Sequence, residues 1–209
     1  MIVTDYRTLN LQSMDILLCS GNGGLSNKIK WFQKLTGAPE EQAQMTHVAG
    51  VFEPEEDYLT SLYVQETTTL NKWCGKKGAQ INPLDEWLQN YKGKVWVRKL
   101  DFERTRAFYK MDENFWKLHQ DEPYENGIPG YAELLFCGLM LNEKIKKYFP
   151  NFKPFRTKNP HCTELQALRL IWHDLLMAGV DVNRLPPWLF WSEIDKYIKC
   201  PIGKPIRIK

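Results

Sequence analysis

Asn159-Pro160-His161-Cys162-Thr163-Glu164-Leu165 reads as a loop that turns into a helix, with a cysteine on the first turn. Pro160 suits a helix start and not a helix interior, because it has no N–H and its ring fixes φ. Leu165, Leu168, Ile171, Trp172, Leu175 and Leu176 then recur at the helical period. Gly179 follows where a C-terminal cap is expected. The spacing predicts a largely buried helix with Cys162 at its positive end. A helix N-terminus favours negative charge, so it lowers a thiol's pKa and raises its reactivity. Cys162 is therefore a candidate nucleophile, provided a base can reach it. The competing reading is a small buried hydrophobe, the usual role of a lone cysteine.

A chain of 209 residues suggests one domain, long enough to bury a core without disulfide staples. Its 43% hydrophobic and 25% charged residues are an ordinary globular balance, and its eight Trp point to a thick core or an aromatic-lined cleft. The net charge of +3 is spread along the chain, and the largest basic cluster is the short run 144–147, so nothing demands nucleic acid as a partner. The basic tail 199–209 reads as a frayed terminus. The five cysteines form no CxxC pair and no zinc-ligand spacing with histidine, so no metal and no cofactor is expected. An odd cysteine count fits a reducing compartment. Residues 1–20 lack a signal peptide's apolar region and cleavage site, and no apolar stretch is long enough to span a membrane. The expectation is a cytoplasmic chain; composition leaves its oligomeric state open.

Residues 1–13 read as a polar lead-in, and 14–19 as a buried strand ending in the turn-rich loop Ser20-Gly21-Asn22-Gly23-Gly24. That loop lacks the phosphate-binding patterns GxxxxGK[ST] and GxGxxG. Ser26 reads as the N-cap of a helix over 27–36, with Ile29, Phe32 and Leu35 inward and Gly37 as its stop. Strands follow at 46–52 and 62–67, then a Gly/Lys-rich loop over 70–82, a short helix over 83–91 and a strand over 94–100. Helical patterns occupy 104–119, with Phe108, Met111, Phe115 and Leu118 in phase, then 130–148, 162–178 and about 191–199. The layout is α+β: a small antiparallel sheet with helices against one side.

Four histidines could serve Cys162. His173 lies eleven residues along the same helix, about 16 Å away at helical rise. His161 is the sequence neighbour, but adjacent side chains diverge by about 100° at a helix start. It is better placed to line a substrate cleft. His119 ends a polar helix and reads as solvated. His47 remains, at the start of an apolar strand, where a polar residue needs a reason. A histidine at a strand end facing a cysteine at a helix start is the geometry thiol hydrolases use. Gln65, Glu66 and Thr67 on the neighbouring strand are candidates to orient the imidazole. Gln65 and Glu66 cannot both point at it, because successive strand residues face opposite sides. A carboxylate best stabilises imidazolium, which favours Glu66.

The order of these pieces resembles a known family. An opening Asp15-Ile16-Leu17-Leu18 strand precedes a Gly/Ser loop and a short helix. Thr46-His47-Val48 then opens a strand, with Val64-Gln65-Glu66-Thr67 on its partner. Pro83 to Leu88 leads to Val95-Trp96-Val97-Arg98-Lys99-Leu100, Tyr124 lies in a Gly-rich loop, and Cys162-Thr163-Glu164-Leu165 opens a late helix. The set is similar to the YiiX/YebB-like branch of NlpC-type papain-like cysteine hydrolases, in which a circular permutation places histidine before cysteine. The resemblance spans about 14–178, leaving 1–13 as lead-in and 179–209 as a C-terminal extension. It implies Cys162 as nucleophile, His47 as base, Glu66 as orienting residue and Tyr124 near the cleft. Ser20, His161 and Tyr124 are the candidate substrate-binding residues. Met14 departs from the pattern, standing where the family usually has glycine. So do His161, where an aromatic is common, and the loop over 71–82.

The leading expectation is a cysteine hydrolase of peptidase or amidase type, acting on an amide or ester carbonyl. The resemblance implies peptide or cell-wall-type peptide substrates; some permuted relatives act on lipid acyl groups instead. The alternative is a non-catalytic binding or structural module on the same fold. A metal site built on His161 and Cys162 lacks further ligands at suitable spacing.

Overall fold

The computed structural model describes residues 2–35, 37–55, 61–68, 74–120, 122–123, 161–182 and 185–209. Six antiparallel strands form one sheet: β1 (Ile16–Gly21), β2 (His47–Phe52), β3 (Tyr63–Thr68), β4 (Gly78–Pro83), β5 (Gly93–Arg98) and β6 (Ile206–Arg207). Their order across the sheet is β4-β3-β2-β1-β5-β6. Among the described residues the α-helices are α1 (Gly24–Leu35), α2 (Leu84–Asn90), α3 (Arg106–His119), α4 (Cys162–Trp172) and the single turn α5 (Leu189–Ser192).

β1 is buried at every residue because both faces of the sheet are covered. On one face Ile16, Leu18, Val48 and Trp96 pack with Phe108 of α3, Ala167 and Leu170 of α4 and Phe190 of α5. On the other, Leu17, Ala49, Val51, Val64, Val95 and Val97 pack with Leu84, Trp87 and Leu88 of α2. Helices thus lie on both sides, not on one. The lead-in joins the second face through Leu11, with Tyr6 and Leu9 against it.

β4 corrects the expected loop over 70–82. Its hydrophobic alternation is masked because Gln80 and Asn82 are buried polar residues, while Ile81 is only half-buried. Gly78 opens it at φ 80°, and a Cβ there would run into the Glu122 carbonyl oxygen. The basic tail is likewise an ordered edge, not a frayed end. Trp96 and Val97 pair with Arg207 and Ile206, and Thr4 N–H donates to the Arg207 carbonyl at 2.8 Å. Residues 185–209 therefore belong to the same sheet and core as the rest.

α1 starts at Gly24, so Ser26 lies within its first turn and does not cap it. Gly37, at φ 90°, follows its end as expected. Leu35 is exposed, and the residue α1 buries is Gln33. Its Nε2 donates to the carbonyls of Ala43 at 2.9 Å and Met45 at 2.7 Å, fixing the turn that leads into β2.

α3 buries Phe108, Tyr109, Asp112 and Phe115, and leaves Met111 and Leu118 exposed. The hydrophobic phase misleads there because the inward face carries Asp112. Arg169 of α4 grips that carboxylate from Nε at 2.7 Å and Nη2 at 2.5 Å. Ser13 Oγ donates to it at 2.7 Å, and His173 Nε2 lies 3.2 Å away. Burial disfavours the Asp112 anion, but the Arg169 charge together with the hydrogen bonds from Arg169, His173 and Ser13 outweighs it and holds the carboxyl well below its usual range.

α4 ends at Trp172, earlier than the apolar repeat suggests, because Asp174 turns left-handed at φ 54°. Gly179 sits in a later turn at φ 85°. Met14 also adopts a left-handed conformation, φ 75°, which glycine takes without penalty. Its N–H bonds to the Val51 carbonyl at 3.0 Å and its side chain is buried, which holds the conformation in place. The expected helix over 130–148, Trp73, and the loop bearing Tyr124 lie outside the described residues.

Candidate active site

Cys162 is the first residue of α4. The helix begins there because His161 is extended (φ −88°, ψ 176°) and its Nδ1 accepts the Glu164 N–H at 3.3 Å. An N-cap of this kind satisfies one of the helix's free donors. α4 then lies on the sheet at Gly50, where a Cβ would press into the Gln166 carboxamide and, at 2.6 Å, the Arg169 guanidinium. Gln166 Nε2 donates to the Gln65 carbonyl at 3.1 Å.

The sheet opens where the cysteine sits. β2 and β3 pair only over Gly50↔Gln65, Val51↔Val64 and Phe52↔Tyr63. The Val48 N–H, short of that paired stretch, bonds to the Cys162 sulfur, as does the Thr163 N–H. The His47 imidazole also hydrogen-bonds to the thiol. His47 Nε2 lies 2.7 Å from Glu66 Oε2, which leaves Nδ1 as the nitrogen to face the sulfur. Glu66 Oε1 accepts from Trp87 Nε1 at 2.9 Å and Gln80 Nε2 at 3.3 Å. Glu66 thus stands on the α2 face, opposite to Gln65, as strand alternation requires.

Burial opposes charge on both partners of this pair. For Cys162, the His47 charge and the hydrogen bonds from His47, Val48 and Thr163 outweigh burial and lower the pKa. For His47, the Cys162 sulfur and the Glu66 carboxylate outweigh it and raise the pKa. Both directions favour a thiolate beside an imidazolium, the charge state in which a thiol needs no separate deprotonation to act as a nucleophile. Burial instead pushes the thiols of Cys19 and Cys200 up, and for Cys19 the charges of Glu66 and Cys162 add to the effect.

His161 is buried and caps α4, and burial lowers its pKa to about 4. Its 3.5 Å approach to Glu164 Oε2 is therefore not an ion pair at neutral pH. Ser20 lines a cavity on the α4 face of the sheet, whereas its neighbour Cys19 is the register partner of His47. Tyr124 falls outside the described residues. Trp87, Gln80 and the Val48 N–H were not anticipated from sequence. The cross-strand partnership of Glu66 with Gln80 is the signal that finds one of them, once β4 is known. Among the described residues, no group of three or more His, Cys, Asp or Glu side chains is placed to hold a metal ion. No described helix is long and apolar enough to cross a membrane.

No protein-family model matches the chain, and no curated protein sequence matches it. Among solved structures it is similar to the crystal structure of metalloprotein yiiX from Escherichia coli O157:H7, with a TM-score of 0.49 and 13% identity over 94% of this chain and 88% of that chain. At that score and identity the likeness assigns neither a reaction nor a metal to this chain.

Proposed function

We propose that the protein is a cysteine hydrolase of peptidase or amidase type on a permuted papain-like fold, with Cys162 as nucleophile, His47 as acid and base, and Glu66 as the group that orients His47. The observation that carries this reading is the continuous chain from the Cys162 thiol through His47 to Glu66 Oε2. The Cys162 thiolate attacks an amide or ester carbonyl. The Val48 and Thr163 N–H groups, already directed at the sulfur, are suited to receive the negative charge that develops beside it. The His47 imidazolium gives its proton to the departing amine or alcohol, and neutral His47 then activates the water that releases the acyl group. Glu66 keeps the imidazole in the required tautomer and stabilises its cation. Peptide amides, including cell-wall-type peptides, are the substrate class implied by the family resemblance.

The reading is tested by acylation with p-nitrophenyl acetate. A burst of p-nitrophenolate is expected, together with an acetyl group mapped to Cys162 by mass spectrometry, and both should disappear in His47→Ala. Acetylation spread over the cysteines without preference for Cys162 would overturn the proposal.

A further inference from the structure

A cavity of about 300 Å³ opens on the α4 face of the sheet and contains neither Cys162, His47 nor Glu66. It is lined by Ser20 of β1, Lys94 and Trp96 of β5, Arg207 of β6, Trp191 of α5, and Glu41, Gln44 and Met45 from the turn before β2. Its volume is at the lower end of the range for small-molecule sites. Trp96 and Trp191 meet edge to face, with ring centroids 5.3 Å apart, and both are almost wholly buried. Together with Met45 they form an apolar, aromatic wall. The charged residues are two cations, Lys94 and Arg207, and one anion, Glu41. Aromatic walls under a surplus of positive charge suit a flat or apolar body carrying one negative group.

We infer that this cavity is a binding site for a small carboxylate with an aromatic or apolar body, its carboxylate held by Lys94 and Arg207 and its body against Trp96 and Trp191. The inference stands on the cavity and not on the chemistry at Cys162. Ser20 is the register partner of Lys94, and Cys19 beside it is that of His47. Ser20 at the cavity and His47 of the pair thus stand on adjacent strands, with their side chains on opposite faces of the sheet.

Three probes of one skeleton test it: phenylacetate, 2-phenylethanol and 2-phenylethylamine, titrated by calorimetry into the Cys162→Ala protein, whose inability to turn over separates this result from the fate of the hydrolase reading. Saturable one-to-one binding of phenylacetate is expected, with the alcohol weaker and the amine weaker still. The double substitution Lys94→Gln/Arg207→Gln should weaken phenylacetate by about tenfold, the worth of two charge-assisted contacts at a partly solvated site. Glu41→Gln should tighten it, a gain that misfolding cannot imitate. Absence of saturable phenylacetate binding, equal binding of all three probes, or indifference to these substitutions would overturn the inference.

Discussion

The two oxygens of Glu66 do different jobs. Oε2 faces His47, and Oε1 is pinned by Trp87 and Gln80. Replacing Glu66 by Gln keeps the shape and removes the charge, so the imidazolium loses one of its two negative neighbours. The His47 pKa, raised in the native protein, should fall by about one unit, equivalent to roughly 1.4 kcal/mol. NMR titration of the four histidines reads this directly, and an unchanged His47 midpoint would remove Glu66 from the pair's electrostatics. At this scale much of the site was legible in the sequence. A histidine opening an apolar strand and a carboxylate on its neighbour carried their own signal. Trp87 carried none, because a helical tryptophan in phase with Leu84 and Leu88 reads as core, which it also is.

The start of α4 couples helix stability to pH. His161 is protonated in the unfolded chain below about pH 6.5, whereas in the fold it resists the proton down to about pH 4, because it is buried and its Nδ1 is an acceptor. The unfolded state therefore binds more protons between those values. This stabilising contribution is complete above the unfolded value and is lost as pH falls through the window, reaching roughly 2 kcal/mol by pH 5. In His161→Asn the cap is kept, since asparagine is a preferred N-cap, and the titration is gone. Urea melts at pH 7 and pH 5 should show a smaller loss for the variant than for the wild type, and the buried Asp15 and Glu53, common to both, cancel in the comparison. Equal losses would mean that His161 is not buried as a neutral cap. Elements whose side chains alternate by polarity were readable in sequence; β4 was missed, and α3 was found but its inward face misread at Met111 and Leu118, because Gln80, Asn82 and Asp112 are polar residues on inward faces.

Across the whole molecule, the two chain ends meet. Thr4 bonds to Arg207, and Lys209 donates through its backbone N–H to the Val95 carbonyl and through its ammonium to the carbonyls of Leu88 and Gln89. Removing residues 204–209 strips β6 from β5 and exposes a strand edge. The truncated protein should melt lower, by roughly 5–10 °C for a loss of about 2–3 kcal/mol in a chain of this size, and scatter light more readily on heating. An unchanged melting temperature would show that β6 contributes nothing. No local pattern announces this closure, nor the buried cluster that brings positions 13, 112, 169 and 173 together. Such contacts join residues far apart in sequence, and each member alone reads as a surface polar group.

The measurement that tests the account most directly is the rate of Cys162 alkylation by iodoacetamide as a function of pH, with each site assigned by mass spectrometry, in wild type and His47→Ala. Cys162 should react well below pH 8, ahead of Cys19 and Cys200, and His47→Ala should move its profile up toward that of an ordinary thiol. A Cys162 profile that follows an ordinary or buried thiol in both proteins would contradict the thiolate–imidazolium pair and, with it, the proposed chemistry.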